Sequence, residues 1–386
     1  MIVIRAFLIF WVLFVLPAAA WAGTYTTLHA FSGLDGQQPR AGLIADSTGN
    51  LFGATAKGGA KKKGVLFRLA PDGTGTVLHT FTGKPDGAAP LGTLVRDATG
   101  NLYGTASLGG ANNSGTIFKL APNGVFTVLY SFPALAGSPQ GGLVLDPSGN
   151  LYGTTKKGGA SGYGILFRLA PDGSFTVLHS FTGLIKGGPD GAYPQAALVR
   201  DSAGNLYGTT FSGGAAGFGV IFKLAANGAY TVLHSMSRGD GIRPLAPLIL
   251  DNGGNLYGTA SAGGGRGFGT VFRLAPNGTL TVLYNFQGRI NFDGSSPRAG
   301  LVLDKTGNLY GTTLNGGAGS TLEIDLGIVF KLAPDGTYTV LHSFVANTAD
   351  GTHPYGELLM DASGNLYGTA SAGAATGFGT VFKMGP

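Results

Sequence analysis

The sequence contains no cysteine. Disulfide frameworks, thiolate metal sites and cysteine nucleophiles are therefore excluded. Charged residues are scarce as well, at 11% of the chain, where about 25% is usual. The net charge of +6 is mild for this length and too diffuse to predict nucleic-acid binding. Because hydrophobic residues still make up 44%, the chain can bury a large core and is not a disordered polar tract.

Glycine is abundant: it supplies 70 of the 386 residues, which is more than twice its usual share of about 7%. These glycines follow no three-residue period, which excludes a collagen-like chain. Their spacing indicates many tight turns instead. After residue 22, no segment shows a 3.6-residue hydrophobic period long enough to predict a helix.

The first 22 residues have the layout of a secretory signal peptide. Arg5 precedes an apolar run over residues 6–16, and Ala20-Trp21-Ala22 places small residues before Gly23. The alternative is an uncleaved anchor, but the run is short for a span of about 20 residues. We therefore predict a signal peptide at 1–22 and an exported protein, periplasmic or extracellular, with no membrane span after cleavage. Cleavage would remove both tryptophans of the chain.

One unit of about 50 residues is repeated seven times along the rest of the chain. Its landmark is the string Gly-Asn-Leu-Tyr/Phe-Gly, with the asparagine at Asn50, Asn101, Asn150, Asn205, Asn255, Asn308 and Asn365. Each unit contains four short runs rich in Val, Leu, Tyr, Phe and Thr, separated by turn residues, which predicts four strands. We name them A (GLVLD), B (NLYGTT), C (VFKLA) and D (TVLHSF). Four antiparallel strands per repeat at this period are typical of a β-propeller blade.

The register of the two chain ends predicts how the ring closes. Residues 24–31 read as a D strand with no A, B or C before it, and residues 379–384 read as a C strand with no D after it. Pairing the two would complete the seventh blade and remove the open edges of a linear array. We predict an all-β, seven-bladed β-propeller of four-stranded antiparallel blades over residues 23–386, a single domain closed by the N-terminal strand.

Length differences between the copies are confined to two of the four connections. The A–B and C–D turns keep their lengths, whereas the B–C and D–A loops vary. Because the strands of a meander alternate in direction, both variable loops lie at one end of the propeller, which we call the variable face. Loops on a rigid scaffold commonly carry recognition, so this face is the expected binding surface, unless its lengths have simply drifted.

Most residues with reactive side chains recur in register and so serve the blade. Five histidines occupy one D-strand position: His29, His79, His179, His234 and His342. The aspartate that ends each A strand is expected to cap the A–B turn. His353, in the last D–A loop, is the one histidine outside this pattern.

A second set of aspartates stands before glycine in the D–A loops: Asp35, Asp86, Asp190, Asp240, Asp293 and Asp350. They could line the channel mouth and bind a cation such as Ca²⁺, although a local turn role is the simpler interpretation and we assign no cofactor. Three acids remain outside the repeat, Glu323 and Asp325 in one lengthened B–C loop and Glu357. With His353 they are the only candidates for acid–base chemistry, and none is assigned a catalytic role.

Four B–C loops carry an aromatic residue between two glycines: Tyr163, Phe218, Phe268 and Phe378. Such side chains could stack on sugar rings or anchor a protein partner, or they could fill gaps between glycine-rich turns. We retain these four residues, with Glu323, Asp325 and His353, as candidate binding residues.

The repeated unit GNLYGTT…GG…VFKL-PDG…TVLHSF resembles the GloVer tandem-repeat family of exported bacterial proteins, over essentially residues 24–384. The resemblance implies export and a propeller-like array, and it carries over no catalytic residue. From the residues and this resemblance we predict a monomeric binding scaffold for a glycan or protein partner on the variable face. The alternative is a propeller lyase or hydrolase with its site at the channel mouth.

Overall fold

The computed structural model describes residues 23–183, 190–288, 292–318, 326–346 and 348–386. All regular elements in these ranges are β-strands. No helix in the described part of the chain has the length and apolar character needed to cross a membrane. The predicted signal peptide at 1–22 lies outside the described residues, as do Glu323 and Asp325.

Each A–B hairpin is built on the aspartate that ends strand A. Asp97 accepts hydrogen bonds from the backbone N–H of Thr99 and Asn101, both at 2.9 Å, and from the Asn101 side chain at 2.7 Å. The Tyr103 hydroxyl of strand B donates to the same carboxylate at 3.0 Å. The repeated aspartate therefore has the predicted capping role, and in the six blades where the first aromatic residue of strand B is tyrosine it also binds that hydroxyl.

The four strands recur in every blade with nearly constant bounds. The A strands are Ile44–Ala45, Val95–Arg96, Val144–Leu145, Val199–Arg200, Ile249–Leu250, Val302–Leu303 and Leu359–Met360. The B strands are Leu51–Lys57, Leu102–Ala106, Leu151–Thr155, Leu206–Thr209, Leu256–Ala260, Leu309–Thr313 and Leu366–Gly373. The C strands are Val65–Leu69, Thr116–Leu120, Ile165–Leu169, Val220–Leu224, Thr270–Leu274, Ile328–Leu332 and Thr380–Met384. The D strands are Gly75–Thr80, Phe126–Ser131, Phe175–Ser180, Tyr230–Ser235, Leu280–Asn285, Tyr338–Ser343 and, for blade 7, Tyr25–Ala30.

Short additional strands extend three blades on the variable face. They are Gln37–Pro39, Gly191–Ala192, Ser212–Gly213 and Gly351–Pro354. The first and last pair with the ends of the long B strands of blades 1 and 7, and the middle two pair with each other.

The seven blades form a closed ring, and the two chain ends share blade 7. The N-terminal strand pairs antiparallel with the last C strand, from Tyr25 opposite Met384 to Ala30 opposite Thr380. The order in this blade is thus A, B, C from the C-terminus and D from the N-terminus. The seven-bladed β-propeller and its predicted closure are confirmed.

Phenylalanines of strands C and D join neighbouring blades. Phe81 of blade 1 packs edge-to-face on Phe118 of blade 2, with ring centroids 5.3 Å apart, and both are fully buried. The same contact joins blade 7 to blade 1, where the ring centroids of Phe31 and Phe67 lie 5.2 Å apart. Gly104 of strand B leaves the space for this ring, because a Cβ there would lie 2.6 Å from Cζ of Phe118.

Every C–D pair contains a β-bulge in strand D. In blade 1, Val77 lies opposite Phe67 and His79 lies opposite Leu66, which leaves Leu78 as the extra residue. A bulge changes the alternation of side chains along a strand. As a result Leu78 and His79, although adjacent, both pack toward blade 2, Leu78 in its core and His79 stacked on Phe126 at 3.7 Å.

Candidate functional site

The central channel narrows at the variable face, where the innermost strands begin. Each blade contributes two or three residues to the lining of this mouth, and two of them form rings around it. The outer set, which we call the mouth ring, is Arg40, Leu91, Gln140, Gln195, Leu245, Arg298 and Tyr355. Two residues further along each chain is the inner ring, which is Gly42, Thr93, Gly142, Ala197, Pro247, Gly300 and Glu357.

The backbone that leads into each mouth-ring residue is strongly constrained. A proline precedes it in every blade, and before the proline stands a non-glycine residue in the left-handed region, with φ between 52° and 66°. These residues are Gln38, Ala89, Ser138, Tyr193, Arg243, Ser296 and His353. Each donates its N–H to a B–C loop carbonyl of the preceding blade, as Gln38 does to Phe378 at 2.9 Å. Such conformations cost about 1–3 kcal/mol and persist only where the surroundings fix them, so the mouth ring is rigidly mounted.

Between the two rings lies a set of very small residues that bring the blades close together. They are Ala41, Gly92, Gly141, Ala196, Ala246, Ala299 and Gly356. A Cβ on Gly92 would lie 2.5 Å from the backbone of Gly141 in the next blade. This close approach limits the mouth to a cavity of about 70 Å³. One water needs about 10–15 Å³ and a drug-sized ligand about 300 Å³ or more, so the cavity suits the terminal group of a ligand.

The mouth ring departs from the repeat in an ordered way. From blade 1 to blade 7 it reads Arg, Leu, Gln, Gln, Leu, Arg, Tyr. Tyr355 is thus flanked by two arginines, and the two glutamines lie across the channel from it, with one leucine on each side between them. Neither glutamine side chain hydrogen-bonds to another described residue.

Tyr355 lies between the two arginines. The guanidinium carbon of Arg40 is 5.3 Å from the centre of the Tyr355 ring, and that of Arg298 is 5.9 Å from it. Cation–π attraction of this kind contributes about 0.5–2 kcal/mol and lowers the cost of placing two cations near one ring. Nε of each arginine is buried without a hydrogen-bond partner, and neither arginine forms an ion pair with a described residue.

Glu357 lies in the inner ring, directly along the chain from Tyr355. Gly42 and Gly300 of the flanking blades leave room for it, since a Cβ at Gly300 would lie 3.0 Å from Cγ of Glu357. Burial among the channel walls raises the pKa of Glu357 to about 7, although the side chain keeps some exposure toward the channel itself. No described residue hydrogen-bonds to its carboxyl group.

The other end of the channel is wider but less specific. An opening of about 850 Å³ there is lined by the A strands and A–B turns of blades 2–4. The two arginines of this opening contact the A–B turns of their own blades, where Arg96 lies over Gly100 and Arg200 lies over Gly204. The candidate site is therefore the mouth on the variable face.

Comparison with known sequences places this repeat among described families. The model of the Gloeobacter/Verrucomicrobia repeat matches residues 13–200 and residues 185–382. The chain belongs to this family. The GloVer resemblance expected from the repeat string is thereby confirmed.

Solved structures similar to this member of the Gloeobacter/Verrucomicrobia repeat family share its fold. One is a streptogramin B lyase, with 16% identity, a TM-score of 0.63, and coverage of 95% of this chain and 99% of that chain. Another is the extracellular domain of a proposed hybrid two-component system from B. thetaiotaomicron, with 13% identity and a TM-score of 0.62. The match covers 93% of this chain and 39% of that one. Among proteins with curated descriptions, none matches this chain.

In this family member, the four B–C loop aromatics lie on the variable face against neighbouring D–A loops. Phe378 faces Gly33, Phe268 faces Gly288 and Tyr163 faces Gly183. Phe218 lies instead beneath the Arg238 guanidinium, 6.0 Å from its ring centre. Phe268 keeps 38% exposure, and the other three are half-buried. The aromatics thus fill gaps between loops, and none lines the mouth cavity.

His353 is the seventh member of the left-handed set rather than an irregular residue. Its N–H donates to Leu326 at 2.7 Å, and its carbonyl accepts from Ser371 at 2.9 Å. Its ring Nδ1 lies 3.0 Å from the hydroxyl of Thr352. His353 and Glu357 share no hydrogen bond, so the described residues do not form the acid–base cluster considered from the sequence.

The aspartates of the D–A loops bind their own loops and the D-strand histidines. His79 Nε2 lies 3.1 Å from Asp86, whose carboxylate also accepts from Thr82 N–H at 2.9 Å and Gly83 N–H at 3.1 Å. Corresponding pairs occur at His29–Asp35, His179–Asp190, His234–Asp240 and His342–Asp350, and Tyr284 donates to Asp293. None of the six aspartates lines the mouth. Within the described ranges, no three His, Asp or Glu side chains converge as a metal site would require.

The mouth ring itself was missed by the reasoning from sequence. The signal was present, because a proline stands seven residues before the A-strand aspartate in every copy. Aligning the copies on that proline shows that the next residue takes four different identities, whereas the residue after it is always Ala or Gly.

Proposed function

We propose that this protein is an exported binding propeller that holds the end of a glycan chain in the channel mouth of the variable face. One observation carries the proposal: the blade-building side chains are repeated in the copies, whereas the rigidly held mouth ring presents polar or cationic side chains in five of its seven positions. The leader-like layout of residues 1–22 supports export.

The repeated backbone does not by itself account for the different side chains in the mouth ring. The mouth-ring backbone is the same in all blades, and the positions that pack between blades keep one kind of side chain, such as the C-strand Phe of all seven blades. The polar and cationic set at the mouth therefore supports a role in contacting a ligand.

A glycan end fits this site better than a protein surface does. The cavity of about 70 Å³ admits one terminal group, and the glutamine amides and guanidinium groups around it suit hydroxyl-bearing ligands. The large apolar side chains exposed on the variable face, among them Leu34, Leu135 and Phe292, belong to different loops. Single exposed apolar residues of this kind are normal on protein surfaces.

A tryptophan introduced at the mouth provides a direct test. Residues 23–386 contain no tryptophan, so protein exported and cleaved as predicted should show tyrosine emission only. We would place one reporter in the mouth ring, Leu91→Trp, and a control at the opposite end, Ala45→Trp, where the side chain is exposed. Each is titrated with neutral and acidic oligosaccharides, namely cello-, manno- and galacturono-oligomers.

At least one oligomer should change the emission of Leu91→Trp and leave that of Ala45→Trp unchanged. An oligomer that binds the parent by calorimetry without affecting Leu91→Trp would place the ligand elsewhere and refute the proposal. If no oligomer binds, a glycan is not the ligand, and a protein partner becomes the better hypothesis.

The alternative, a lyase or hydrolase at the same mouth, is favoured by one observation. The raised pKa of Glu357, caused by burial, is the kind of shift found for general acids. No described residue supplies a second acid or base that is hydrogen-bonded to its carboxyl group, and acid–base catalysis of glycoside cleavage usually needs a pair of carboxyl groups. Incubation of the same oligomers with the protein, followed by analysis of reducing ends and of unsaturated products, tests this alternative.

A further inference from the structure

The two arginines at the mouth have no ion-pair or side-chain hydrogen-bond partner among the described residues, and this points to the charge of the ligand. We propose that the mouth ring recognises an anionic sugar, whose carboxylate or sulfate group binds between Arg40, Arg298 and the Tyr355 hydroxyl. This inference rests on the proposed function and specifies the ligand class of the same site.

The argument starts from the contrast with other arginines of the chain. Arg68, Arg168 and Arg273 also have a buried Nε without a hydrogen-bond partner, so this feature alone identifies no site. Those three occupy the basic position that every C strand repeats, and the blade accounts for them. Arg40 and Arg298 have no such explanation, because the other blades place Leu, Gln or Tyr at the same position.

Their placement is unfavourable in the absence of an anion. Both guanidinium groups lie within 6 Å of one ring, in a narrow cavity where like charges repel more strongly than in bulk water. The acid nearest along the channel, Glu357, lies more than 4 Å from both guanidinium groups and forms no ion pair with them. An oxyanion bound at these guanidinium groups would offset the repulsion and satisfy their donors, since guanidinium groups bind carboxylate and sulfate-like groups through paired N–H bonds.

The opposite side of the ring favours a sugar over a simple ion. Gln140 and Gln195 present two amides without described hydrogen-bond partners, which can donate to and accept from hydroxyl groups. Leu91 and Leu245 separate the amide half from the cationic half and offer apolar contact to the C–H groups of a ring. A ligand with an anionic substituent on one side and hydroxyls on the other matches this arrangement.

The test compares one ligand with and without its charge. Trigalacturonate, its neutral methyl ester and a sulfated galactose trisaccharide are titrated by calorimetry into the parent, Arg40→Gln, Arg298→Gln and Arg266→Gln. Arg266 is an exposed arginine of a B–C loop on the same face, so its variant removes an equal charge outside the mouth. Melting curves verify that each variant is folded.

We expect the acid or the sulfated sugar to bind at least about tenfold more tightly than the ester, and Arg40→Gln and Arg298→Gln each to remove about tenfold or more of that affinity. Arg266→Gln should leave it unchanged. Preference between the two anions then identifies the substituent. The Leu91→Trp reporter detects binding of the neutral ester as well as of the acid. The glycan-binding function and the preference for an anionic sugar can therefore fail separately.

Equal binding of acid and ester, with Leu91→Trp responding to both, would overturn the anionic-sugar inference and leave the binding function standing. Equal losses in Arg266→Gln and Arg298→Gln would also overturn it, because they would show a diffuse attraction by the whole face. Failure of all three sugars would overturn it too, and the neutral oligomers would then decide the proposed function alone.

Discussion

Replacing Glu357 by glutamine should make the protein more stable at neutral pH. The side chain lies in the inner ring between Gly42 and Gly300, and no described residue donates a hydrogen bond to its carboxylate. Ionisation in this position lacks both a counter-ion and full hydration. Glutamine has nearly the same shape and cannot ionise, so Glu357→Gln removes the charge without opening a cavity.

The magnitude follows from the pKa. Burial raises the pKa of Glu357 from its ordinary value of 4.5 to about 7 in the folded protein. Between these two values the unfolded chain has released the proton and the folded chain retains it, so the free energy of unfolding falls as pH rises. One pKa unit corresponds to about 1.4 kcal/mol, which gives an upper limit of about 3 kcal/mol above pH 7. Because the carboxyl group is partly open to the channel, we expect about 2 kcal/mol.

Urea unfolding of parent and variant at intervals from pH 4 to pH 8.5 measures this effect. The two free energies should coincide near pH 4 and diverge as pH rises to 7, with a constant advantage for Glu357→Gln above that. Other titrating groups affect both proteins equally and cancel in the difference. Asp335→Asn, in an exposed C–D turn, is the charge control: the Thr337 N–H donates to Asp335 and lowers the pKa of that carboxyl group, so its contribution changes only in acid. A difference that is flat between pH 4.5 and 7 would refute the assignment of Glu357 as a buried, unpaired acid.

Three further predictions concern the scaffold. Deleting residues 24–31 removes the D strand of blade 7 and should lower the melting temperature far more than deleting eight residues from a loop; near-equal melting curves would contradict the closure. Gly115→Ala should lower the free energy of unfolding by about 1–3 kcal/mol more than Gly173→Ala does. A Cβ at Gly115 would lie 2.5 Å from a backbone carbonyl oxygen, whereas nothing lies within 4 Å of a Cβ at Gly173. Equal urea midpoints for the two variants would contradict this crowding. Burial lowers the pKa of His79, so the protein should lose stability as pH falls below 6.5. His79→Tyr, which copies the residue used at Tyr284, should reduce that loss in melting curves at pH 7 and 5.5, and an unchanged loss would count against it.

The architecture was predictable from the sequence because the same pattern of hydrophobic and turn residues recurs in every blade. Seven copies of one hydrophobic pattern, with Asp and Asn-Gly turns, determine the strands, and the unmatched runs at 24–31 and 379–384 determine the closure. Local preference and long-range packing agree at these positions. The register of residues that recur in every copy, such as His79, also predicted correctly that they serve the blade.

Features produced by convergence at the axis were not predictable in the same way. The run GLVLD suggested a strand of about five residues, but only two residues pair with strand B. The residues before them, such as Gly92, pack against the backbone of the next blade instead. Packing against the next blade thus competes with hydrogen bonding between strands A and B of the same blade. The hydrophobic pattern of a single repeat does not show which of the two prevails.

The pairing of His79 with Asp86 was missed for a related reason. The strict two-residue alternation of a strand gives adjacent residues opposite directions, whereas the bulge turns Leu78 and His79 toward the same blade. The histidine can then reach an aspartate seven residues away in the D–A loop. The bulge is not visible in the sequence pattern, so the aspartates of the D–A loops looked like a row of free carboxylates. That interpretation led to the possibility of a bound Ca²⁺.

The mouth ring combines a fixed backbone with a variable side chain, and this combination has a physical consequence. The left-handed residue, the proline and the hydrogen bond to the preceding blade hold each Cα of the ring in place, so little conformational freedom of the backbone is lost when a ligand binds. Affinity is gained by such preorganisation without additional contact area. A substitution at Arg40 or Arg298 should therefore change which ligand binds while leaving the blade intact. A repeat protein can in this way alter its ligand through seven positions that lie outside the fully buried core of the blades.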